Sequence, residues 1–187
     1  MMLLMNVEWS RRPICLSVTT ILIATLSACD GGPTALSSAT ANLVVPLTDA
    51  PVQGVEQIHL VFTTVTAKLV GGPPETLDLD VDPGESLDIL ALQNEVITLA
   101  AGMVDEGPYE FLMINLNESE SCLLFDGEKL PLQVLSEEIK IVGGFEVDAH
   151  SVTTVLLDWD AAESLVLRGN GEWLLTPVIT MEVSTSP

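Results

Sequence analysis

Positive charge is scarce in this chain, with 6 lysines and arginines against 27 aspartates and glutamates. A nucleic-acid surface needs clustered basic side chains to displace counterions from phosphates, so nucleic acid is not an expected partner. The same imbalance repels an anionic lipid surface. Aromatic residues are also few, and Tyr109 is the sole tyrosine. That argues against a glycosidase cleft or a sugar-stacking platform, while leaving a polar glycan site open. The two histidines, His59 and His150, are isolated from each other and from any nucleophile at a useful spacing. Acyl transfer needs a nucleophile, a base and an orienting group, and zinc needs closely spaced His and Cys; neither set is present. No glycine-rich phosphate loop precedes a helix. The expectation is a chain that is not an enzyme and carries no cofactor.

Cysteine is nearly absent too, and the positions of Cys15, Cys29 and Cys122 are informative. Arg11 and Arg12 precede an apolar run from Ile14 to Leu26. That run suits the core of an export signal and is short for a bilayer span. It ends in Leu26-Ser27-Ala28-Cys29. This stretch resembles the lipobox of bacterial lipoproteins, in which two small residues let the backbone enter a peptidase and the cysteine sulfur takes the lipid. Residues 1–28 are therefore expected to be a cleaved lipoprotein signal peptide. Cys29 is the expected lipidation site and the membrane the expected partner through it. Asp30 follows directly, which in enteric-type sorting leans towards retention at the inner membrane. Ser10-Arg11-Arg12 gives only a poor match to a twin-arginine export signal.

Cleavage would remove Cys15 and commit Cys29, leaving Cys122 as a lone thiol that is most simply buried as a small hydrophobe. It would also remove Glu8, Arg11 and Arg12, so that 26 acidic and 4 basic residues remain of the original 27 and 6. The residues that remain are enough for one domain that buries about two thirds of its surface without disulfides. Residues 29–41 are small and turn-prone and read as a flexible tether. Residues 42–184 are the expected folded domain.

Within that domain the hydrophobic period is two. Ile58, Leu60 and Phe62 alternate with polar neighbours, as do Leu77, Leu79 and Val81. Val155, Leu157 and Trp159 share one face. The last segment places Trp173, Leu175, Pro177, Ile179, Met181 and Val183 on one side. Pro177 cannot donate to a ladder, so that strand is at an edge or bulged. Asp126-Gly127 predicts a two-residue hairpin between Cys122–Phe125 and Glu128–Leu132. Gly71–Pro74, Gly143-Gly144 and Gly169–Gly171 are further breaks. One short helix is expected near Ile89–Leu99. Tyr109, after Gly107-Pro108, is placed for a tyrosine-corner-like bond. The pattern predicts an all-β fold: a single β-sandwich, Greek-key and immunoglobulin- or transthyretin-like, of about seven to nine strands.

Several segments together resemble the family known as domain of unknown function 4382, found in exported proteins that are often lipoproteins. They are Leu47–Pro51, Leu87–Asn94, Gly107–Tyr109, Gly143–Val147, Leu157–Asp160 and Gly169–Ile179, in family order. Asn115 stands where the family often has a basic residue, and Trp173 where it more often has Tyr. The resemblance implies an exported β-sandwich domain and no particular activity.

Carboxylates supply the one metal candidate. Asp78, Asp80, Asp82 and Glu85 alternate as in a calcium loop, but Pro83 occupies the position of the turn glycine and Ile89 that of the closing glutamate. An acidic strand face is the plainer account. Asp158 and Asp160 lie two apart and, with Asp49, are candidates for a small acidic cluster. The metal candidates are thus Asp80, Asp82, Asp158 and Asp160. The leading expectation is a lipid-anchored envelope protein with a non-enzymatic binding or structural domain, its partner an envelope protein or polysaccharide. A Ca²⁺-responsive binding domain is the alternative, and an enzyme of unknown type comes third.

Overall fold

The computed structural model describes residues 39–187 except Ala50, Pro51, Gln53, Pro83 and Asn94. The signal peptide, Cys29, Asp30 and most of the expected tether lie outside the described residues.

Alternation builds the strands. In Thr40–Asp49 (β1) every second residue from Ala41 to Asp49 is buried. In Val152–Trp159 (β11) Val155, Leu157 and Trp159 are fully buried, as their spacing predicts. Between these strands come Val55–Leu60 (β2), Phe62–Leu69 (β3), Pro74–Leu79 (β4), Leu87–Asp88 (β5), Ile97–Asp105 (β6), Gly107–Leu116 (β7), Cys122–Phe125 (β8), Glu128–Val134 (β9) and Glu138–Val147 (β10). A one-turn helix at Ala161–Ser164 (α1) then leads to Leu165–Leu167 (β12), Trp173–Leu175 (β13) and Ile179–Ser186 (β14).

Eight strands form a large sheet in the order β10-β7-β3-β4-β6-β1-β11-β14, and six form a second sheet in the order β12-β13-β9-β8-β2-β5. Most pairs are antiparallel, but β1 lies parallel to β11 and β9 parallel to β13. The large sheet curls until its edge strands approach. A Cβ added to Gly143 of β10 would sit 2.5 Å from the Met181 methyl on β14. Gly143 and Gly144 therefore do not end a strand; they form a bulge within β10, where the register shifts between Val142 and Phe145.

The second sheet has a simple origin. At one end of the large sheet three short links join β3 to β4, β6 to β7 and β10 to β11. At the other end there are four longer connections: β1 to β3, β4 to β6, β7 to β10, and β11 to β14. These four contain β2, then β5, then β8 and β9, then β12 and β13. Every strand of the small sheet thus comes from one end of the large one. The chain enters β1 and leaves β14 at the opposite end, where Asn42 pairs with Val152 and Val152 with Ser186. One hydrophobic core runs through both sheets, from Leu43 and Ile114 to Leu123 and Leu175.

The all-β architecture agrees with the sequence pattern. Among the described residues the strand count of fourteen exceeds the seven to nine expected because the connections themselves pair as short strands. Other expectations are corrected. The segment ending in Val183 is not one strand: β13 and β14 belong to different sheets, and Pro177, with no N–H to give, lies in the break. Leu60 and Phe62 likewise fall on two strands, with buried Val61 between them. The helix near Ile89–Leu99 is a single 3-10 turn, Ile89–Leu92, capped by Asp88, and β6 has begun by Ile97. Strand structure begins at Thr40, with Ala41 already buried, two residues before the expected domain start at 42.

Candidate functional site

The segments that carry the family resemblance meet at two junctions inside the fold. At the first, the Tyr109 ring stacks on Phe145, with centroids 5.1 Å apart and planes 9° apart. Its hydroxyl reaches the Asp105 carbonyl at 2.8 Å, four residues upstream, and Glu75 Oε1 at 3.0 Å. The single phenolic proton is shared between these acceptors. The other Glu75 oxygen accepts from the Asp105 N–H. This is the tyrosine-corner-like bond that Gly107-Pro108-Tyr109 predicts. Burial above all, then the Glu75 hydrogen bond and the charges of Glu75 and Asp105, push the phenol well above its ordinary value.

At the second junction the ends of β1 and β11 are tied to the chain that follows. Buried Asp49 accepts from the Ala161 N–H at 3.1 Å. Asp160 caps α1 by accepting from Glu163 N–H. The buried Ser164 hydroxyl donates to the Asp160 carbonyl and accepts from the Val178 N–H. Thr48 donates to the Leu92 or Glu95 carbonyl, holding the 3-10 turn against β1. At both junctions side chains satisfy backbone groups, those of Asp105, Ala161, Glu163 and Val178, while the buried Trp159 indole N–H has no hydrogen-bond partner among the described residues.

The four metal candidates are not brought together. Asp158 is exposed on β11 and Asp80 exposed just beyond β4. Three strand spacings separate those strands through β6 and β1, about 14 Å. Asp82 is exposed in the next loop, and Asp160 is occupied as a helix cap. Asp49 pairs with Trp159 on the buried face, opposite to Asp158. Among the described residues no three His, Cys, Asp or Glu side chains are grouped to hold a metal ion.

His59 lies on β2, where its ring nitrogens contact Gln57 Oε1 at 3.3 Å and Ser86 Oγ at 3.4 Å. His150 is exposed at φ 63° in the β10–β11 turn. Cys122 is a buried free thiol on β8. It is the cross-strand neighbour of His59, with no hydrogen bond between them.

The site that sequence reading missed is a cleft on the small sheet, beside the 3-10 turn Glu118–Glu120 and over the β8–β9 hairpin. It has a volume of about 510 Å³ and is lined by Ser119, Glu120, Ser121, Cys122, Lys129, Leu130 and Pro131. A neighbouring hollow of about 320 Å³ shares Ser119, Ser121 and Pro131 and extends past Gln133 and Glu137. Asp126 and Gly127, both at positive φ, form the tight turn that sets the hairpin register. The only advance signal was that hairpin; nothing in the sequence placed the Glu118–Glu120 turn beside it. Of the four basic residues in the domain, three are engaged by the protein: Lys68 with the Leu69 and Gly72 carbonyls, Lys140 over the Phe111 ring, and Arg168 with Gln133. Lys129 has no such partner and faces the cleft.

No curated protein and no solved structure matches the chain. A family model, described as a domain of unknown function, does match over residues 40–177, which is more than half of the sequence and takes in both junctions and the cleft. The chain therefore belongs to the DUF4382 family.

Proposed function

We propose that this protein is a lipid-anchored component of the cell envelope, held through Cys29, and that its domain is a non-enzymatic binding or structural module. Leu26-Ser27-Ala28-Cys29 supports the anchor. One observation carries the functional reading: the chain enters the domain at one end of the large sheet, and the whole second sheet, with its cleft, is built at the other. Ten residues of β1 put about 30 Å between the two ends. A tether at Thr40 would hold the short hairpin links near the membrane and present the small sheet outward. The polar groups at the two junctions serve the fold, which favours binding over catalysis. The diverging aspartates offer the calcium-responsive alternative no donor set among the described residues. The test is fractionation of wild-type and Cys29→Ser proteins. Wild type should sediment with membranes and Cys29→Ser should not. Recovery of both in the same fraction would overturn the reading, and separation of the two envelope membranes would check the inner-membrane lean from Asp30.

A further inference from the structure

We propose that the cleft over the β8–β9 hairpin holds a segment of an uncharged glycan, a polyhydroxylated chain of the surroundings in which the protein is anchored; this deepens the envelope reading and rests on it. Among the described residues Lys129 is the one lysine or arginine that the protein leaves unengaged, although carboxylates outnumber cations heavily. It shares the cleft with Glu120, and the two make no ion pair. The cleft thus offers an unused ammonium donor and an unused carboxylate acceptor. Sugar hydroxyls both donate and accept, so they satisfy the two together. Pro131, on the same outward face of β9 as Lys129, supplies an apolar surface for the C–H face of a ring.

The alternatives fit less well. An anionic ligand meets Glu118, Glu120 and Glu137 against one lysine. A peptide adding as a strand would find only a four-residue edge, Glu128–Pro131 of β9, with a proline in it, since β8 is paired on both sides and β9 pairs with β13 over Leu132–Val134. The two hollows are neighbours that share Ser119, Ser121 and Pro131 and are open to solvent, which suits a chain lying along them. Each volume falls within the usual range for small-ligand sites, about 300–1,000 Å³.

The experiment is isothermal titration of the full-length protein in detergent with three tetrasaccharides, an uncharged glucan, an uncharged N-acetylhexosamine oligomer and a uronate oligomer, and with an extended uncharged peptide. At least one uncharged chain should bind saturably, and the uronate should not. Lys129→Ala and Glu120→Gln should each weaken binding about tenfold, the loss of one charge-assisted hydrogen bond. Lys140→Ala, outside the cleft, should leave it unchanged. Both cleft positions are exposed, so melting curves should stay close to wild type. Failure of both uncharged chains to bind, binding that survives both cleft substitutions, or preference for the uronate or for an extended peptide would overturn the proposal. Loss of glycan binding with membrane anchoring intact would sink this proposal alone. Glycan binding by a protein that does not fractionate with membranes would sink the anchor instead.

Discussion

Tyr109 is the only tyrosine in the chain, so its ionisation can be followed by phenolate absorbance without interference. The ring is buried to 1% exposure and its hydroxyl is committed to Asp105 O and Glu75 Oε1. An ordinary phenol titrates near pH 10. Here the folded state holds the proton more tightly than the unfolded chain. The associated stability is therefore complete below about pH 10. Above that pH the unfolded chain releases its proton first, and stability falls by up to about 1.4 kcal/mol per pH unit. Native protein should show no phenolate signal near pH 10, and the signal should rise together with loss of the far-ultraviolet β spectrum. Tyr109→Phe keeps the stack on Phe145 and removes only the hydroxyl. The bond lost is to a carboxylate or a shielded carbonyl, so the cost at pH 7 is about 2 kcal/mol. For a domain of this size that lowers the melting temperature by about 4–8 °C. The variant should also lose the steep alkaline decline. A smooth titration near pH 10 in protein that keeps its native spectrum would show that the hydroxyl is not held by Asp105 and Glu75, as would a Tyr109→Phe variant as stable as wild type.

Cys122 should react slowly with thiol reagents in native protein and rapidly after denaturation, with no disulfide-linked dimer on a non-reducing gel. Rapid native labelling would contradict its burial. With 25 acidic side chains in residues 42–184, monovalent salt up to about 0.15 M should raise the melting temperature gradually by screening. At fixed ionic strength Ca²⁺ and Mg²⁺ should act alike, in wild type and in Asp80→Asn and Asp158→Asn. A saturable Ca²⁺-selective rise lost in those variants would restore the metal reading. Gly127→Ala, at φ 74° in an exposed two-residue turn, should cost about 1 kcal/mol in urea denaturation without moving the hairpin. An unchanged midpoint would show that the turn tolerates a side chain.

The parts of the fold legible in the sequence were those decided locally. Period-two burial in β1 and β11 follows from side-chain direction in a strand, and Asp126-Gly127 dictates a hairpin because both residues take positive φ. Tyr109 could be read because its partner carbonyl lies four residues away. What escaped depends on which strands become neighbours. The alternation from Trp173 to Val183 is unbroken in sequence, yet Val183 ends 43% exposed because β14 is an edge strand in another sheet from β13. Asp80, Asp82, Asp158 and Asp160 share a composition, but their strands are set apart by β1 and β6, which sequence spacing does not encode. The cleft escaped for the same reason. Lys129 and Glu120 sit on either side of a hairpin strand, and their relation is made by the turn that stacks Glu118–Glu120 against β9, where Glu118 Oε1 accepts from the Val134 N–H.

Lipidation of Cys29 is read out by mass spectrometry of the N-terminal peptide of protein taken from membranes. The mature chain should begin at Cys29 and be heavier than its sequence by a diacylglyceryl group on sulfur. A mature N-terminus at any other residue, or an unmodified Cys29, would contradict it.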